Sequence, residues 1–151
     1  MSQTKESMHA LYERAFSGSP SEFFISPGRL EIIGNHTDHN GGLAIVAGAS
    51  LRMYAATSPT GTSKVRLFSD GFGMFECRTK LSEPDPKDFG KTKALLAGIV
   101  SGFIKRGYDV GGINIAVESE VLSGSGISSS AAFETLICYI FNHTFISVIN
   151  R

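Results

Sequence analysis

The sequence predicts one mixed α+β domain, and three observations support this fold class. The chain has 151 residues and a mass of 16.2 kDa, enough for one sizeable core and too little for two ordinary domains. Apolar residues recur at helical spacing in some segments and alternate with other residues in other segments. No internal repeat, linker or low-complexity tract divides the chain, so residues 1–151 are expected to form a single domain.

Helical periodicity predicts three amphipathic helices. The first covers residues 5–16 and ends before Gly18 and Pro20, the second covers residues 91–106 and ends at Gly107, and the third closes the sequence. Their apolar faces are Met8, Leu11, Tyr12, Ala15 and Phe16; Leu95, Leu96, Ile99, Val100, Phe103 and Ile104; and Phe133, Leu136, Ile137, Ile140 and Phe141.

The strands are predicted from alternation. Residues 51–56 and 64–67 alternate on either side of a turn at 58–61, which predicts an antiparallel pair that Met74 to Cys77 extends. Residues 82–90 are predicted to form a loop, and residues 113–117 another strand.

A further short strand is predicted at Phe23 to Ile25, and Ser26-Pro27-Gly28 is expected to end it. The polar stretch that follows, RLEIIGNHTDHNGG at residues 29–42, is then expected on a loop positioned by the sheet. As an ordinary surface loop, it would turn at Asn40-Gly41-Gly42, with Asp38 bonded to nearby backbone. A metal site is disfavoured because His36, Asp38 and His39 have no fixed helical spacing and no fourth ligand.

The charge balance and the cysteines limit the class of partner. Fourteen basic and fourteen acidic residues give no net charge and no block of like charge, so neither nucleic acid nor a membrane surface is an expected partner. No apolar run reaches bilayer-spanning length. Cys77 and Cys138 match no zinc or redox spacing, which predicts two reduced, packed thiols in a cytoplasmic protein. A small ligand, neutral or paired with a metal, fits this composition better.

A second unusual stretch, GSGISSSAA at residues 124–132, lies between the last predicted strand and the last helix. Small residues allow a ligand to approach the backbone, and serines at a helix start offer hydroxyls and free N–H groups to an anion. The Walker pattern is absent because no Gly-Lys-Ser/Thr follows the glycines. In isolation, a Gly-rich stretch of this kind favours the other interpretation, a turn in which Ser128 or Ser129 is an ordinary N-cap.

Taken together, the two stretches resemble a known family. GRLEIIGNHTDHNGG resembles the galactokinase signature, usually Gly-Arg-x-Asn-Leu-Ile-Gly-Glu-His-Thr-Asp-Tyr-Asn-x-Gly, and GSGISSSAA resembles the phosphate loop of the GHMP kinase superfamily. The resemblance implies the α+β N-terminal lobe of GHMP kinases, which is related to a ribosomal-protein domain. It further implies ATP-dependent phosphorylation of the anomeric hydroxyl of galactose, with ATP and Mg²⁺ as cofactors.

The site residues follow from motif position. The resemblance puts Arg29 beside the reacting hydroxyl as the catalytic residue, and Glu31, Asn35, His36 and Asp38 in the sugar site. The phosphate loop covers residues 122–132, and Ser129 is also the expected Mg²⁺ ligand. The expected ATP contacts are Gly124, Ser125, Gly126, Ile127, Ser128, Ser129 and Ser130.

The match also departs from the family pattern. The family's glutamate before the histidine is Asn35 here, and its asparagine four residues earlier is Glu31, so we hypothesise a swapped pair in contact across one helical turn. A galactokinase is more than twice this length, and its catalytic base is an aspartate beyond the phosphate-loop helix. The last aspartate here is Asp109, and Glu134 is expected to be structural or near the metal rather than the base.

These departures predict a truncated chain that is inactive alone and is completed by a C-terminal chain carrying the base. The uncapped apolar ending at Arg151 supports this expectation. The alternative from another class is a noncatalytic galactose- and ATP-binding sensor of the same fold. A third reading, a kinase of homoserine or mevalonate, is disfavoured by His36-Thr37-Asp38, whereas N-acetylgalactosamine or arabinose remains open as the sugar.

Overall fold

The described part of the chain, residues 2–34, 41–80, 84–121 and 128–146 of a computed structural model, contains a five-stranded sheet with helices on both faces. A short 3-10 helix precedes α2, and a π-helical turn follows α3. In chain order, the elements are α1 (Ser2–Phe16), β1 (Glu22–Ile33), β2 (Ile45–Thr60), β3 (Lys64–Ser69), β4 (Gly73–Arg78), α2 (Thr92–Lys105), β5 (Gly112–Ser119) and α3 (Ser129–Phe141).

The predicted α+β class and the three predicted helices are confirmed. α1 buries Met8, Leu11 and Tyr12 on one face of the sheet, against Ala56 and Ala116. On the other face, α2 and α3 cover the main core, in which all five apolar positions predicted for the third helix are buried. The periodicity was reliable here because each helix has one apolar side and one partner layer.

The strand order is β1-β2-β5-β3-β4, which makes one predicted pairing wrong. β2 was expected beside β3, but β5 lies between them, antiparallel to β2 and parallel to β3. The predicted β3–β4 pair is confirmed. β5 takes the central place because it is apolar on both faces, with Ile113, Ile115 and Val117 buried on one side and Ala116 on the other.

Two predicted strand ends are also wrong, because in each case the strand continues through a proline that was expected to end it. β1 continues through Pro27 to Ile33, which is tolerated because β1 lies at the sheet edge and Pro27 falls beside a register irregularity. β2 continues through Pro59 to Thr60. The carbonyl of Thr57 points toward β1, where it accepts a hydrogen bond from the Ser21 N–H at 2.8 Å. Pro59 faces the same way, beyond the start of β1, so its missing N–H costs no ladder hydrogen bond.

The outer end of the β1–β2 hairpin is apolar and exposed. Leu43 is 94% exposed and Ile33 is 64% exposed. We call this surface the distal hairpin, defined by Leu30, Ile32, Ile33, Leu43, Ile45 and Val46, all of which are exposed. Several exposed apolar side chains grouped in one hairpin are typical of a contact with another protein surface.

Neither cysteine forms a disulfide, and Cys138 is exposed rather than packed, which corrects that expectation. Its thiol is still partly desolvated by its neighbours, which, together with the nearby carboxylate of Glu134, raises the pKa of Cys138 and so disfavours the reactive thiolate. In the described residues, no helix has both the length and the apolar character needed to cross a membrane.

Candidate functional site

The two sequence motifs meet at Arg29 and Ser128. Arg29 lies in β1, and its Nη2 donates a hydrogen bond to the Ser128 hydroxyl at 3.3 Å across a separation of 99 residues. Ser128 directly precedes α3, whose side chains pack along β1, as in the edge contact between Phe24 and Tyr139 at 5.6 Å. The expected convergence of the two motifs is confirmed for these two residues.

Arg29 also faces Glu31, with Nη2 and Oε2 3.9 Å apart. Residues two apart in a strand share one face, so this pairing follows from the extended backbone of β1. The hypothesis of a Glu31–Asn35 pair required a helix at this position, and that premise is wrong for Glu31. Asn35, His36 and Asp38 lie outside the described residues, so their assignments stay predictions.

Ser128 is not an ordinary N-cap. Its backbone is left-handed, with φ 49° and ψ 57°, and its side chain makes no capping hydrogen bond to α3. A non-glycine residue in this region carries strain of about 1–3 kcal/mol. The strained backbone leaves the hydroxyl free to accept from Arg29 instead of from the helix. The N-cap alternative is therefore wrong for Ser128.

Two substitutions at Ser128 separate this strain from the hydrogen bond, since both remove the hydroxyl. We expect Ser128→Gly to be more stable than Ser128→Ala by about 1 kcal/mol, because glycine adopts a positive φ without the steric penalty of a Cβ. Urea unfolding followed by circular dichroism measures the difference. Ser130, inside the first turn of α3, serves as the control, where alanine should be the more stable. Equal stability of the two Ser128 variants would contradict a strained backbone.

A cleft of about 400 Å³ opens where α2 and α3 begin. Its polar lining includes Lys91 and Thr92 at the start of α2 and Ser129 and Ser130 at the start of α3. Lys91 occupies the N-cap position of α2 but forms no side-chain cap there. Two helix N-termini, each with unpaired N–H groups, suit an anion at this end of the cleft.

Near this end of the cleft, the carboxylate of Asp88 forms ion pairs with two lysines. Lys93 and Lys91 approach its two carboxylate oxygens at 2.7 and 3.3 Å. The hydrogen bond from Lys93 is the main reason that the pKa of Asp88 lies below its ordinary value, so Asp88 stays ionised. The same hydrogen bond raises the pKa of Lys93, so Lys93 keeps its positive charge beside the start of α2.

The residues assigned to ATP and Mg²⁺ stay predictions, and the structure describes the position of only some of them. Ser129 and Ser130 line the cleft, whereas Gly124, Ser125, Gly126 and Ile127 lie outside the described part of the chain. No group of three His, Cys, Asp or Glu side chains that could hold a metal occurs in the described ranges. A hard cation such as Mg²⁺ would thus depend on the Ser129 hydroxyl, substrate phosphate oxygens and water, a set that it accepts.

Other residues of the cleft lining were not predicted from the sequence. Phe72, in the turn between β3 and β4, lines the cleft, and its neighbours in DGFG were the available signal. Lys91 and Thr92 gave no signal, because only the packing of α2 brings them to α3. Glu134 lines a second groove between α2 and α3 with Arg106 and Cys138, one helical turn after Ser130, and the expectation that it is structural or near the metal stays a prediction.

Comparison with known proteins relates this site to one family. The galactokinase galactose-binding signature matches residues 10–59. The Lactobacillus helveticus galactokinase is 35% identical over 147 residues, covering 93% of this chain and 37% of that protein. The Bacillus subtilis galactokinase is 31% identical over 150 residues, covering 93% and 37%. The chain thus spans little more than a third of the length of these relatives.

Solved structures give the same relationship. The Lactococcus lactis galactokinase complexed with galactose superposes with a TM-score of 0.82 and 27% identity, covering 98% of this chain and 39% of that one. The Methanococcus jannaschii mevalonate kinase superposes with a TM-score of 0.65 at 17% identity, covering 83% and 40%. The second similarity concerns the fold alone.

Proposed function

Because the chain corresponds to the N-terminal portion of the galactokinase family, we propose that it contributes the sugar-binding and phosphate-binding motifs of an ATP-dependent kinase that phosphorylates galactose at its anomeric hydroxyl. The observation that carries the proposal is the 3.3 Å hydrogen bond between Arg29 and Ser128. A transfer between two substrates requires their binding motifs to lie side by side, and this contact joins them. The proposed compartment is the cytoplasm.

Arg29 is the proposed catalytic residue. Its guanidinium is held between the Ser128 hydroxyl and the Glu31 carboxylate, at the boundary between the two motifs. A fixed cation at that boundary stabilises the charge that grows on the transferred phosphoryl group. Glu31 orients the guanidinium, while Asn35, His36 and Asp38 are proposed to hold sugar hydroxyls, which an ionised aspartate accepts in charge-assisted hydrogen bonds.

The cleft between α2 and α3 is the proposed ATP site. Ser128, Ser129 and Ser130 lie at the start of α3, and their N–H groups would face phosphate oxygens. Residues 124–127 would complete the proposed loop. Mg²⁺, when bound, would offset phosphate charge, and the Ser129 hydroxyl is its proposed protein ligand. The share of the fold that this chain spans lacks the family's catalytic base, so we propose that the chain alone does not turn over.

We propose that a complementing C-terminal part, in the same or a second chain, supplies that base and packs against the distal hairpin. Almost two thirds of the length of these relatives lies outside the part that this chain covers. Three side chains of the distal hairpin, Leu30, Ile32 and Ile33, lie on β1, the strand that also carries Arg29. Packing there would cover apolar surface and exclude water from the sugar site.

A chimera tests the function. This chain replaces the matching N-terminal portion of the Lactobacillus helveticus galactokinase, and ADP release is measured with ATP, Mg²⁺ and galactose, with glucose as the epimer control. Release that depends on galactose supports the proposal. Binding of galactose and ATP without ADP release supports a sensor instead, and failure to bind galactose contradicts both.

The distal hairpin gives a separate prediction for the chain alone. Ile32→Ser combined with Val46→Ser should reduce concentration-dependent self-association, because both side chains are exposed and apolar. Sedimentation velocity measures the effect, and Phe89→Ser, which changes an equally exposed side chain elsewhere, is the matched control. Unchanged association in the double variant, or an equal effect of Phe89→Ser, contradicts the assignment of this surface.

A further inference from the structure

One aromatic side chain at the cleft has no packing role of its own. Phe72 lies in the turn between β3 and β4, where Ser69 and Gly73 form the last strand pair. Its side chain is 66% exposed, whereas Phe75, three residues later, packs against the core. A single exposed ring is ordinary on a protein surface, but this ring also lines the cleft, where it would meet an occupant.

The turn that carries Phe72 is fixed in place. Gly71 and Gly73 have φ values of 79° and 88°, which lets the chain reverse on either side of the ring. The Phe72 N–H donates to the Ser69 carbonyl at 3.0 Å, and the Asp70 N–H donates to the Val117 carbonyl at 2.9 Å. The Asp70 carboxylate also accepts from Arg14 Nη2 of α1 at 2.8 Å. The turn is thus tied to α1 and to β5, so its ring needs no rearrangement to meet a ligand.

The cleft has two chemically different ends, which match the two ends of a nucleotide. The helix N-termini form the end suited to an anion. The remaining lining is mainly apolar and includes Met53, Phe75, Leu95, Val117, Val121 and Phe133, with Ser69 and Ser119 as its polar members. Phosphates bound at Ser129 and Ser130 leave the uncharged base to the apolar part, where Phe72 offers an open ring face. Bases stack readily on such rings.

We infer that Phe72 is the stacking residue for the base of the nucleotide, and therefore a determinant of nucleotide affinity at this site. The inference rests on the proposed function, since it assumes that a nucleoside triphosphate occupies the cleft. The β3–β4 turn would thereby contact the nucleotide base, although it lies outside both the sugar-binding signature and the phosphate loop.

Two probes separate base from phosphate. Calorimetric titrations of the 151-residue chain use ATP and inorganic tripolyphosphate, each with Mg²⁺. Phe72→Ala should weaken ATP binding by about 5- to 100-fold, the loss of one base–ring stack, and leave tripolyphosphate binding unchanged. Phe89→Ala is the matched control, because Phe89 is also 66% exposed and does not line the cleft.

A fluorescent variant gives a second readout. The sequence contains no tryptophan, so Phe72→Trp introduces a single reporter. ATP should quench its emission and tripolyphosphate should not. Equal effects of Phe72→Ala on both ligands, no effect on either, or quenching by tripolyphosphate overturns the stacking role while leaving the nucleotide site intact. Failure of the unchanged chain to bind either ligand overturns the nucleotide site itself.

Discussion

Arg29→Ala is expected to lower the turnover number of the chimera with galactose by about 10²- to 10³-fold, the usual effect of removing one donor that acts on transition-state charge. The guanidinium lies 3.3 Å from Ser128 and beside the proposed transfer point, so its contribution grows as the phosphoryl group moves. The apparent affinity for galactose should change little. Initial rates of ADP release, measured over a range of galactose concentrations, give the turnover number and the apparent affinity for galactose separately.

The controls for Arg29 exclude a structural explanation. Glu31→Gln keeps the shape of the neighbouring side chain and should have a much smaller effect. The Arg29–Glu31 pair is partly exposed, so its loss should cost the fold no more than about 1 kcal/mol, which urea unfolding can verify. A variant with normal turnover and weakened galactose binding would show that Arg29 binds the ground state, and the catalytic assignment would be wrong.

Ile115→Ala is expected to destabilise the chain by about 2–5 kcal/mol, the cost of truncating a fully buried aliphatic side chain. Ile115 is 0% exposed and lies in the middle of β5, where it pairs with Thr57 of β2 and Leu67 of β3. Domains of this size are stable by only about 5–15 kcal/mol, so the loss is a large share of the total. Urea unfolding monitored by circular dichroism measures it.

The matched control is Ile32→Ala. Ile32 is the same residue type in a strand but is 58% exposed in the distal hairpin, so its truncation should change stability by about 0.5 kcal/mol at most. If the two variants lost similar stability, the central position of β5 would be wrong, because burial would then not distinguish them.

The helices and the strand order illustrate what sequence can and cannot predict here. Leu136, Ile137 and Ile140 lie on one face of a helix, which depends only on their spacing in the sequence. That spacing correctly predicted the buried side of α3. The place of β5 depends on pairing between strands that are distant in sequence. Alternation in β2 and β3 says which residues share a face and nothing about the neighbouring strand.

The site residues also divide into those that a local motif predicts and those that only long-range packing brings together. Arg29 and Ser128 were predicted from short motifs, because each motif carries its own chemistry within a few residues. Phe72 was not, since its relevance depends on α1, β5 and the starts of two helices meeting around one cleft. The left-handed backbone of Ser128 also escaped prediction, because a serine before a helix is ordinarily its cap.

The central position of β5 also governs the order in which the protein can assemble on the ribosome. The hairpins β1–β2 and β3–β4 are both synthesised before β5, yet they join only through it. At about 5–20 residues per second, a nascent chain spends several seconds with two separate hairpins and unfilled hydrogen-bonding edges. The emergence of β5 therefore decides when the sheet closes, and chaperone dependence should concentrate in the interval before Gly112 emerges.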